Sequence, residues 1–340
     1  MNKIIGKPTE LKNVNTSLII SSIRSRGNAT RSEISKDTGL SHTTVRAILN
    51  ELMDMDEIVS LGLDESTGGR RASRYEINLN KRFLLVMAIE KYNVNYRVVN
   101  TLGNTIEENS RGITSLEDVN VVIELIESLE GIYKNIEGIG ISVPGVVTDD
   151  GFLSGIRMED WKEIKIKKQI EEKFNIPILL ENDINSSAIA FYNDYVEKNN
   201  NRKMSLVYIS FTSLGVGSGI VVNGEVIKGD NGYAGEIGFI PMGDSFFNTK
   251  ISSELDDLEY CRVVIDAIKV ISAIINPSVV VLGGSNFRYD LKDTIIEKYN
   301  KEFSIKTKIL IGEENNTYTI DGITQKSLSL VNKVFKLIVN

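Results

Sequence analysis

The sequence predicts an α/β protein with a small N-terminal unit and a larger body of two similar blocks. Residues 30–80 contain two short helical patterns around a tight turn, then two strand-like runs around a Gly-Gly turn. From Phe83 onward, apolar strands alternate with segments of helical spacing, and this alternation occurs twice. We therefore divide the chain into domains at residues 1–80 and 81–340.

The helices of the N-terminal unit are predicted from their ends. Thr30 is a good N-cap, and Glu33 completes a capping box with it. Gly39 stands where the turn requires a positive φ, which glycine adopts without a Cβ clash. Ser41 caps the second helix. The apolar face of that helix is predicted to contain Val45, Ile48, Leu49 and Leu52. Ahead of the pair, a third, supporting helix is predicted from Leu18, Ile19, Ile20 and Ile23.

A β-hairpin is predicted after these helices. The runs at 57–63 and 73–78 have strand composition, and the turn between them carries Arg70 and Arg71 at its tip. Arginine at such a tip can reach phosphates or the minor groove of DNA. Helix, turn, helix and hairpin in this order indicate a winged helix-turn-helix, in which the second helix enters the major groove. The alternative is a helix pair unrelated to DNA, which does not account for the ordered set.

The predicted DNA contacts lie on and around the second helix. We expect phosphate contacts from Arg31, Lys36 and Ser41, and base contacts from Thr43, Thr44 and Arg46, with His42 on the same face. Residues 1–80 hold 11 Lys/Arg and 10 Asp/Glu, whereas the remainder holds 28 and 36. Because the unit is nearly neutral, its non-specific DNA affinity should be modest and steeply salt-dependent.

Length and composition exclude several classes of protein. The 340 residues, 41% of them hydrophobic, suffice for two or three cores. The single cysteine, Cys261, excludes an internal disulfide, and with the single histidine it excludes a Cys/His zinc cage. No apolar run approaches about 20 residues, and the N-terminus lacks the apolar segment of a signal peptide. We therefore expect a cytoplasmic protein with no metal, cofactor or membrane partner.

Four motifs of the body bear on ligand binding. Residues 142–146 end a strand with a Pro-Gly turn, and Asn182 and Asp183 stand at a strand end just before a helix. A carboxylate there can accept a proton from a sugar hydroxyl or hydrogen-bond two hydroxyls. Residues 212–220 form a glycine-rich turn that can cradle a phosphate, and residues 229–238 carry Glu236 between glycines. Each motif has a structural alternative, because Asp183 can be a helix cap and glycine-rich turns are often structural.

In this order the motifs resemble the ROK family, which groups bacterial repressors, open reading frames and sugar kinases. The matching stretches are residues 142–146, 181–185, 214–220 and 234–238. The resemblance implies an actin/hexokinase-like (ribonuclease H-like) body with lobes of about 81–200 and 201–325 and a last helix that returns to the first lobe. It implies that Asn182, Asp183 and Glu236 bind the effector. The N-terminal unit makes the chain similar to the family's repressors of xylose and N-acetylglucosamine use.

The sequence lacks several residues that are typical of the family's kinases. The kinases have an Asp-x-Gly-Gly-Thr phosphate loop, but residues 88–95 contain Glu90 near the aspartate position and no glycine. Phe239 replaces a histidine, and the cysteine-rich zinc knuckle that follows it is absent. Met158 replaces an asparagine. We therefore expect no enzyme activity, and Asp183, the kinase-base position, is at most a ligand contact.

The preferred functional hypothesis is a sequence-specific repressor of carbohydrate-use genes that a sugar or related metabolite releases from DNA. It would bind a palindromic double-stranded operator as a homodimer or homotetramer, and ligand closure would change the spacing of its two DNA readers. Two alternatives are open: an effector-independent DNA-binding or oligomerising protein with a degenerate pocket, and a residual sugar kinase. The effector, the operator, the oligomer size and the sign of regulation stay open.

Overall fold

The N-terminal unit combines three helices with a small antiparallel sheet. The computed structural model describes residues 8–63, 72–155, 160–200, 203–251, 254–303, 307–312 and 317–331. The elements of the unit are α1 (Pro8–Arg26), β1 (Asn28–Thr30), α2 (Arg31–Thr38), α3 (His42–Asp54), β2 (Ile58–Leu63) and β3 (Ser73–Ile77). The strand order of its sheet is β1-β3-β2, and the central strand β3 pairs antiparallel with both β1 and β2. The predicted hairpin tip, with Arg70 and Arg71, lies outside the described residues.

Local hydrogen bonds begin and end the helices of this unit as the sequence predicts. The Glu33 amide donates to Thr30 Oγ1 at 3.3 Å, and the Thr30 amide donates to the Glu33 carboxylate at 2.7 Å. Gly39 ends α2 with a φ of 70°. At the start of α3, the Thr44 amide donates to Ser41 Oγ at 3.1 Å. The capping box, the turn glycine and the second cap are therefore confirmed.

One core lies beneath the three helices. The predicted apolar face of α3 is buried, as are Ile19, Ile20 and Ile23 of α1. The predicted supporting helix is confirmed as α1, and its Leu18 is 40% exposed. Residues of a helix are spaced by about 100°, so the face shared by the three isoleucines leaves Leu18 pointing outward. Leu102 of the body packs against this core, so the unit and the body are in contact.

Two five-stranded sheets organise the body. The first half of the body contains β4 (Phe83–Ile89), β5 (Asn93–Asn100), β6 (Thr105–Gly112), α4 (Val119–Ile132), β7 (Ile136–Val143), β8 (Val146–Val147), β9 (Phe152–Ser154), β10 (Lys162–Ile164), α5 (Ile166–Lys173), β11 (Ile178–Asn182) and α6 (Asp183–Asn199). The second half contains β12 (Ser205–Thr212), β13 (Gly215–Val222), β14 (Glu225–Val226), β15 (Pro241–Met242), β16 (Ser245–Phe246), α7 (Phe247–Ile251), α8 (Asp257–Ile275), β17 (Val279–Gly283), α9 (Lys292–Glu302), β18 (Lys308–Ile311) and α10 (Tyr318–Val331).

The two sheets have the same topology. Their strand orders are β11-β7-β4-β5-β6 and β14-β13-β12-β17-β18. In each sheet, the strand that comes first in the sequence is central, and it pairs antiparallel with the second strand of that sheet and parallel with the fourth. The central strands β4 and β12 are continuous apolar runs, as expected for strands buried on both faces. The prediction of a duplicated α/β body is confirmed.

Helices α6 and α10 pack against each other over the first sheet. A Cβ atom at Gly322 of α10 would lie 1.8 Å from the Ser186 carbonyl oxygen of α6, so this close crossing requires glycine. Ile320 and Ile323 of α10 pack on apolar residues of β4. The last helix therefore contacts both α6 and the first sheet. Within the described part of the chain, no helix has the length and apolar character needed to cross a membrane.

Candidate functional site

A cleft lies where β7, β11 and the β12–β13 hairpin approach one another. It encloses about 620 Å³ of empty space, including the part that opens to solvent. Its lining includes Asn182, Asp183 and Glu236. The structure thus brings together the three residues that the sequence predicts for effector binding.

Asn182 and Asp183 stand where β11 ends and α6 begins. Asn182 Oδ1 caps α6 by accepting a hydrogen bond from the Asn185 amide at 2.9 Å, and its Nδ2 donates to the Gly145 carbonyl at 2.9 Å. Asp183 Oδ1 accepts from the Ile184 amide at 2.8 Å and from Asn182 Nδ2 at 3.1 Å. The cap, which was the structural alternative for Asp183, is therefore Asn182. Both side chains are held in fixed positions at the cleft.

Glu236 reaches the cleft from the glycine-bracketed segment. Gly235 has a φ of 97°, and a Cβ atom on it would lie 2.0 Å from the Ser218 carbonyl oxygen, so this position requires glycine. The Ser218 amide and hydroxyl both donate to the Gly235 carbonyl, at 2.7 and 3.0 Å. These contacts fix the segment against β13, and they position Glu236 at the start of a short 3₁₀ turn, Ile237–Phe239.

Burial raises the pKa of the carboxyl groups in the cleft. Burial, opposed by the hydrogen bond from Ile184 and reinforced by Glu236 and Glu90, raises the pKa of Asp183 to about 7. Burial also raises the pKa of Glu236, and it raises the pKa of Glu90 despite a hydrogen bond from Asn95. Among the described residues that line the cleft, none is Lys, Arg or His. The cleft therefore suits a neutral ligand that supplies hydrogen-bond donors, because it offers no cation to balance a buried anion.

The turn that replaces the kinase phosphate loop offers no site for phosphate. The Glu90 amide donates to the Asn93 carbonyl at 2.8 Å, so the chain reverses in a tight turn between β4 and β5. No residue of this turn has a positive φ, and the carboxylate of Glu90 accepts from Asn95 Nδ2 at 3.1 Å. Among the described residues, no group of His, Cys, Asp and Glu is arranged to hold a metal ion.

The glycine-rich stretch at 212–220 is mainly a strand, so the prediction of a phosphate-cradling turn was wrong. Cβ atoms at Gly217 and Gly219 would lie 2.6 and 2.5 Å from side chains of α6. The glycines therefore let α6 approach the second sheet. The Val216 amide is also occupied, because it donates to Asn248 Oδ1 at 3.0 Å.

One wall of the cleft was not predicted as part of the site. The rings of Trp161 and Tyr233 stack with centroids 5.7 Å apart and planes at 4°, and Phe239 lies 5.9 Å from Trp161. Trp161, Phe239 and Asn248 line the cleft. Asn248 comes from α7, in the stretch after Phe239 where the zinc knuckle of the family is absent. That absence is the only sequence signal for this wall. Met158 lies outside the described residues.

The N-terminal end of α3 is a second candidate site, and it lies on the protein surface. Ser41, His42, Thr43 and Arg46 are exposed, and Thr44 is half-buried. The Thr44 hydroxyl lies 2.9 Å from Ser41 Oγ, so these two side chains complete the cap. The side chains that extend furthest from the cap are therefore those of His42, Thr43 and Arg46.

Three exposed cations are predicted to contact DNA, Arg31 and Lys36 at phosphates and Arg46 at bases. Within the described residues none of the three forms an ion pair, unlike two neighbouring arginines. Arg26 instead binds both carboxylate oxygens of Asp37, at 2.6 and 2.7 Å, and these bonds lower the pKa of Asp37 to about 2. Arg74 donates to Asn28 at 2.8 Å and Glu33 at 3.3 Å. These arginines stabilise the unit, and the three predicted contacts are available to a ligand.

Proteins with similar sequences are named as regulators of sugar use. Residues 94–262 match the ROK family. The chain is 27% identical over 245 residues to the xylose repressor of Bacillus subtilis strain 168, covering 70% of this chain and 63% of that protein. It is 27% identical over 323 residues to the xylose repressor of Staphylococcus xylosus, covering 92% and 81%. It is 24% identical over 254 residues to the DNA-binding transcriptional dual regulator NagC of Escherichia coli K12, covering 71% and 61%.

Solved structures show that the body has the actin/hexokinase-like fold of the ROK proteins. A ROK family transcriptional regulator, a homologue of the E. coli MLC protein, superposes with a TM-score of 0.66 and 18% identity, covering 96% of this chain and 100% of that one. The ROK hexokinase of Thermus thermophilus gives 0.56 and 17%, covering 74% and 99%. The family match runs from β5 into α8 and contains Asn182, Asp183 and Glu236. The chain therefore carries a ROK family domain.

Proposed function

We propose that the protein is a sequence-specific transcriptional regulator, a repressor of carbohydrate-use genes that a sugar or related metabolite releases from DNA. One observation carries the proposal: a single chain combines a capped helix pair, which exposes Arg31, Lys36 and Arg46, with a cleft that holds the three family ligand positions. The relatives named xylose repressor support the same assignment. The chain spans about 63% of the Bacillus relative's length. The proposal therefore rests on the two candidate sites of this chain.

Residues 1–80 act as a winged helix-turn-helix, with α3 as the recognition helix in the major groove. Thr43, Thr44 and Arg46 contact base edges, and Arg31, Lys36 and Ser41 contact phosphates, with His42 beside them. The antiparallel pairing of β2 and β3 supports a wing, whose tip carries Arg70 and Arg71. Arginine is the side chain best suited to guanine, because its fork donates two hydrogen bonds to that base.

Residues 81–340 act as the effector-binding and oligomerising domain. Its two lobes, about 81–200 and 201–325, enclose the cleft, and the last helix returns to the first lobe. Asn182, Asp183 and Glu236 bind hydroxyl groups of the effector. Since the described lining has two acidic and no basic residues, an unphosphorylated sugar fits better than a sugar phosphate. The domain assembles as a homodimer or homotetramer on a palindromic operator in the cytoplasm.

The same domain lacks the means to transfer phosphate. A kinase needs donors that cradle ATP phosphates and a metal that neutralises them. Here the tight turn at Glu90 places a carboxylate where those phosphates would lie, and its backbone has no glycine. Asp183 therefore binds ligand and does not act as a catalytic base, and the protein uses no cofactor.

A second candidate is an effector-independent DNA-binding protein. The observation that favours it is that Phe239 replaces the family histidine and that the zinc knuckle after this position is absent. In this case the cleft would be a remnant, and the body would serve only to oligomerise.

The test is fluorescence anisotropy of the full chain on DNA from upstream of its own gene, with scrambled DNA as the reference. A panel of unphosphorylated and phosphorylated sugars is titrated into the complex. Emission of Trp161, the single tryptophan, reports cleft occupancy in the same samples. We expect selective DNA binding that an unphosphorylated sugar weakens as the Trp161 signal changes. Selective binding that no sugar alters favours the second candidate, and equal binding to scrambled DNA contradicts a specific regulator.

A further inference from the structure

Two charged side chains are fully buried among the described residues, Arg82 and Glu181. Both bind the last helix, α10. Glu181 is next to Asn182 and Asp183 in the cleft, and Arg82 lies between the N-terminal unit and β4. Because a buried charge is costly unless it is paired, the partners of these two residues fix their surroundings. Helix α10 is thereby attached to one candidate site through Lys326 and to the other through Val331, its last residue.

Arg82 joins three separate parts of the chain. Its Nη1 donates to the carbonyl of Val331, the last residue of α10, at 2.9 Å. Its Nη2 donates to Glu57 of the N-terminal unit. Its Nε lies 3.4 Å from the Glu137 carboxylate at the start of β7. The cationic fork also favours the end of a helix, where carbonyl groups carry partial negative charge.

The partner of Arg82 in the N-terminal unit is attached to the recognition helix. The Glu57 amide donates to the Leu52 carbonyl at the end of α3, at 2.8 Å. Lys81 pairs with Glu57 at 2.8 Å and also donates to the carbonyl of Met55, the C-cap of α3. Residues 81 and 82 therefore hold the carboxyl-terminal end of the proposed recognition helix.

Within α10, at Lys326, Glu181 connects the helix to both sides of the cleft. Lys326 of α10 donates to its carboxylate, and Lys228 pairs with the same oxygen at 2.9 Å. Lys228 directly precedes the segment that carries Glu236. Burial opposes ionisation of Glu181, but the two lysines outweigh it and lower its pKa. These two ion pairs therefore link β11, which ends just before Asp183, to the segment that carries Glu236 and to α10.

Helix α10 is also held tightly against α6, whose first residue is Asp183. The contact at Gly322 leaves no space for a side chain between the two backbones. Ser187 and Thr319 share a hydrogen bond of 2.8 Å, and Asn193 donates to Gln325 at 2.7 Å. Displacing α6 therefore displaces α10 as well.

We propose that α10 transmits occupancy of the cleft to α3, with Glu181 and Arg82 as the positioning residues that bind this helix at Lys326 and at Val331. This inference rests on the proposed function. A ligand that binds Asp183 and Glu236 together changes the distance between β11 and the segment after Lys228. Because Lys326 is bound to Glu181, it moves with β11 and shifts α10. The Val331 carbonyl moves as part of α10, and Arg82 and Glu57 then reorient α3.

A double-mutant cycle on the full chain tests this connection, since Lys326 and Arg82 both bind at α10 and form no bond with each other. Lys326→Met breaks the bond at the cleft, and Arg82→Gln breaks the bond at the N-terminal unit. Lys269→Met is the matched control, because Lys269 is 27% exposed and pairs with Glu302, whereas Lys326 is 24% exposed. Arg82→Lys repeats the second arm with less risk to folding, because lysine keeps the charge but lacks the fork.

The first readout is the affinity for the upstream DNA fragment. We expect Lys326→Met to change it about 2- to 30-fold, the range typical of residues along such a connection, and Lys269→Met to leave it unchanged. In the Arg82→Gln or Arg82→Lys background, the effect of Lys326→Met should disappear. Equal effects of Lys326→Met in all backgrounds, or equal effects of the two lysine variants, overturn the inference.

The second readout is amide hydrogen exchange in residues 42–57 without DNA. Lys326→Met should raise exchange there in the Arg82 background only, and unchanged exchange overturns the inference. This readout does not depend on DNA binding. A wild-type chain that does not distinguish the upstream fragment from scrambled DNA contradicts the proposed function, and the exchange result then decides the connection separately.

Discussion

The α3 face and the cleft differ in the sign of their charge and in its exposure. The α3 face is the surface of α2 and α3 that carries Arg31, Lys36 and Arg46. These three side chains are exposed to solvent and form no ion pair within the described residues. In the cleft, burial raises the pKa of Asp183 and Glu236, and the described lining contains no cation. Exposed cations bind an anionic polymer and are screened by salt. Buried carboxyls respond to pH and to hydrogen-bond donors. Salt should therefore control one site, and pH the other.

The largest effect is expected at the glycine that positions Glu236. Gly235→Ala places a Cβ atom 2.0 Å from the Ser218 carbonyl oxygen at a φ of 97°, so it should destabilise the body by about 3 kcal/mol. Sugar-dependent changes in Trp161 emission should be lost with it. Urea unfolding followed by Trp161 fluorescence measures the change.

The matched control is Gly243→Ala. Gly243 has a φ of 66°, and a Cβ atom on it would have no neighbour within 4 Å, so only conformational strain of about 1 kcal/mol is expected. Equal losses for the two variants would contradict the role assigned to the contact between Gly235 and Ser218.

The next effect separates base recognition from phosphate binding at the α3 face. Arg46→Ala should cost about 1–3 kcal/mol on the specific site and relax the preference for one base pair. Lys36→Ala should weaken all sequences alike and reduce the slope of log affinity against log salt by about 1. Anisotropy titrations on specific and scrambled DNA at several salt concentrations measure both. If each variant loses the same affinity on every sequence, the assignment of Arg46 to bases is wrong.

The pH dependence of stability sharpens the contrast from the side of the cleft. The pKa of Asp183, about 7 in the folded protein, lies above the usual aspartate value of about 3.9. The folded chain therefore retains a proton that the unfolded chain releases. The stability from this proton is complete below the unfolded pKa and is lost as pH rises toward 7.

Asp183→Asn removes this proton equilibrium. The unfolding free energy of the wild type minus that of the variant should decrease from pH 4 to 7 and then level off. Urea unfolding at each pH measures the difference. A difference that is constant over this range, or that grows with pH, would mean that Asp183 ionises normally.

The smallest effect concerns the first cap of the N-terminal unit. Thr30→Ala removes the hydroxyl that accepts from the Glu33 amide and donates to the Glu33 carboxylate, and it leaves the bond from the Thr30 amide in place. The change should cost about 1 kcal/mol. Amide exchange of α2 reports the loss. Thr43→Ala, at an exposed site on α3, is the control and should leave that exchange unchanged. A similar increase in both variants would show that the box does not stabilise α2.

The N-terminal unit was predictable because its signals are local. A cap and its partner are three residues apart, and the turn glycine and the period of α3 fall within a short window. Thr30, Glu33, Gly39 and Ser41 therefore stand where the sequence predicts. The supporting helix was also predictable, but its closely spaced apolar residues do not reveal that Leu18 leaves the buried face.

The cleft was only partly predictable because its contacts join distant parts of the chain. Asn182, Asp183 and Glu236 were found through a family resemblance, which matches positions and not distances. The aromatic wall of Trp161, Tyr233 and Phe239 has no spacing that identifies it. The bond between Lys326 and Glu181 spans 145 residues, and that between Arg82 and Val331 spans 249. Tertiary packing alone places such groups together.

The most direct test of a sugar-controlled repressor is reciprocity between the two sites. With one sugar, DNA affinity is measured by anisotropy with and without the saturating sugar, and sugar affinity is measured from Trp161 emission with and without saturating DNA. Thermodynamic linkage requires the two affinities to change by the same factor. We predict that sugar weakens DNA binding and that DNA weakens sugar binding by that factor. Sugar binding that saturating DNA leaves unchanged would contradict the account.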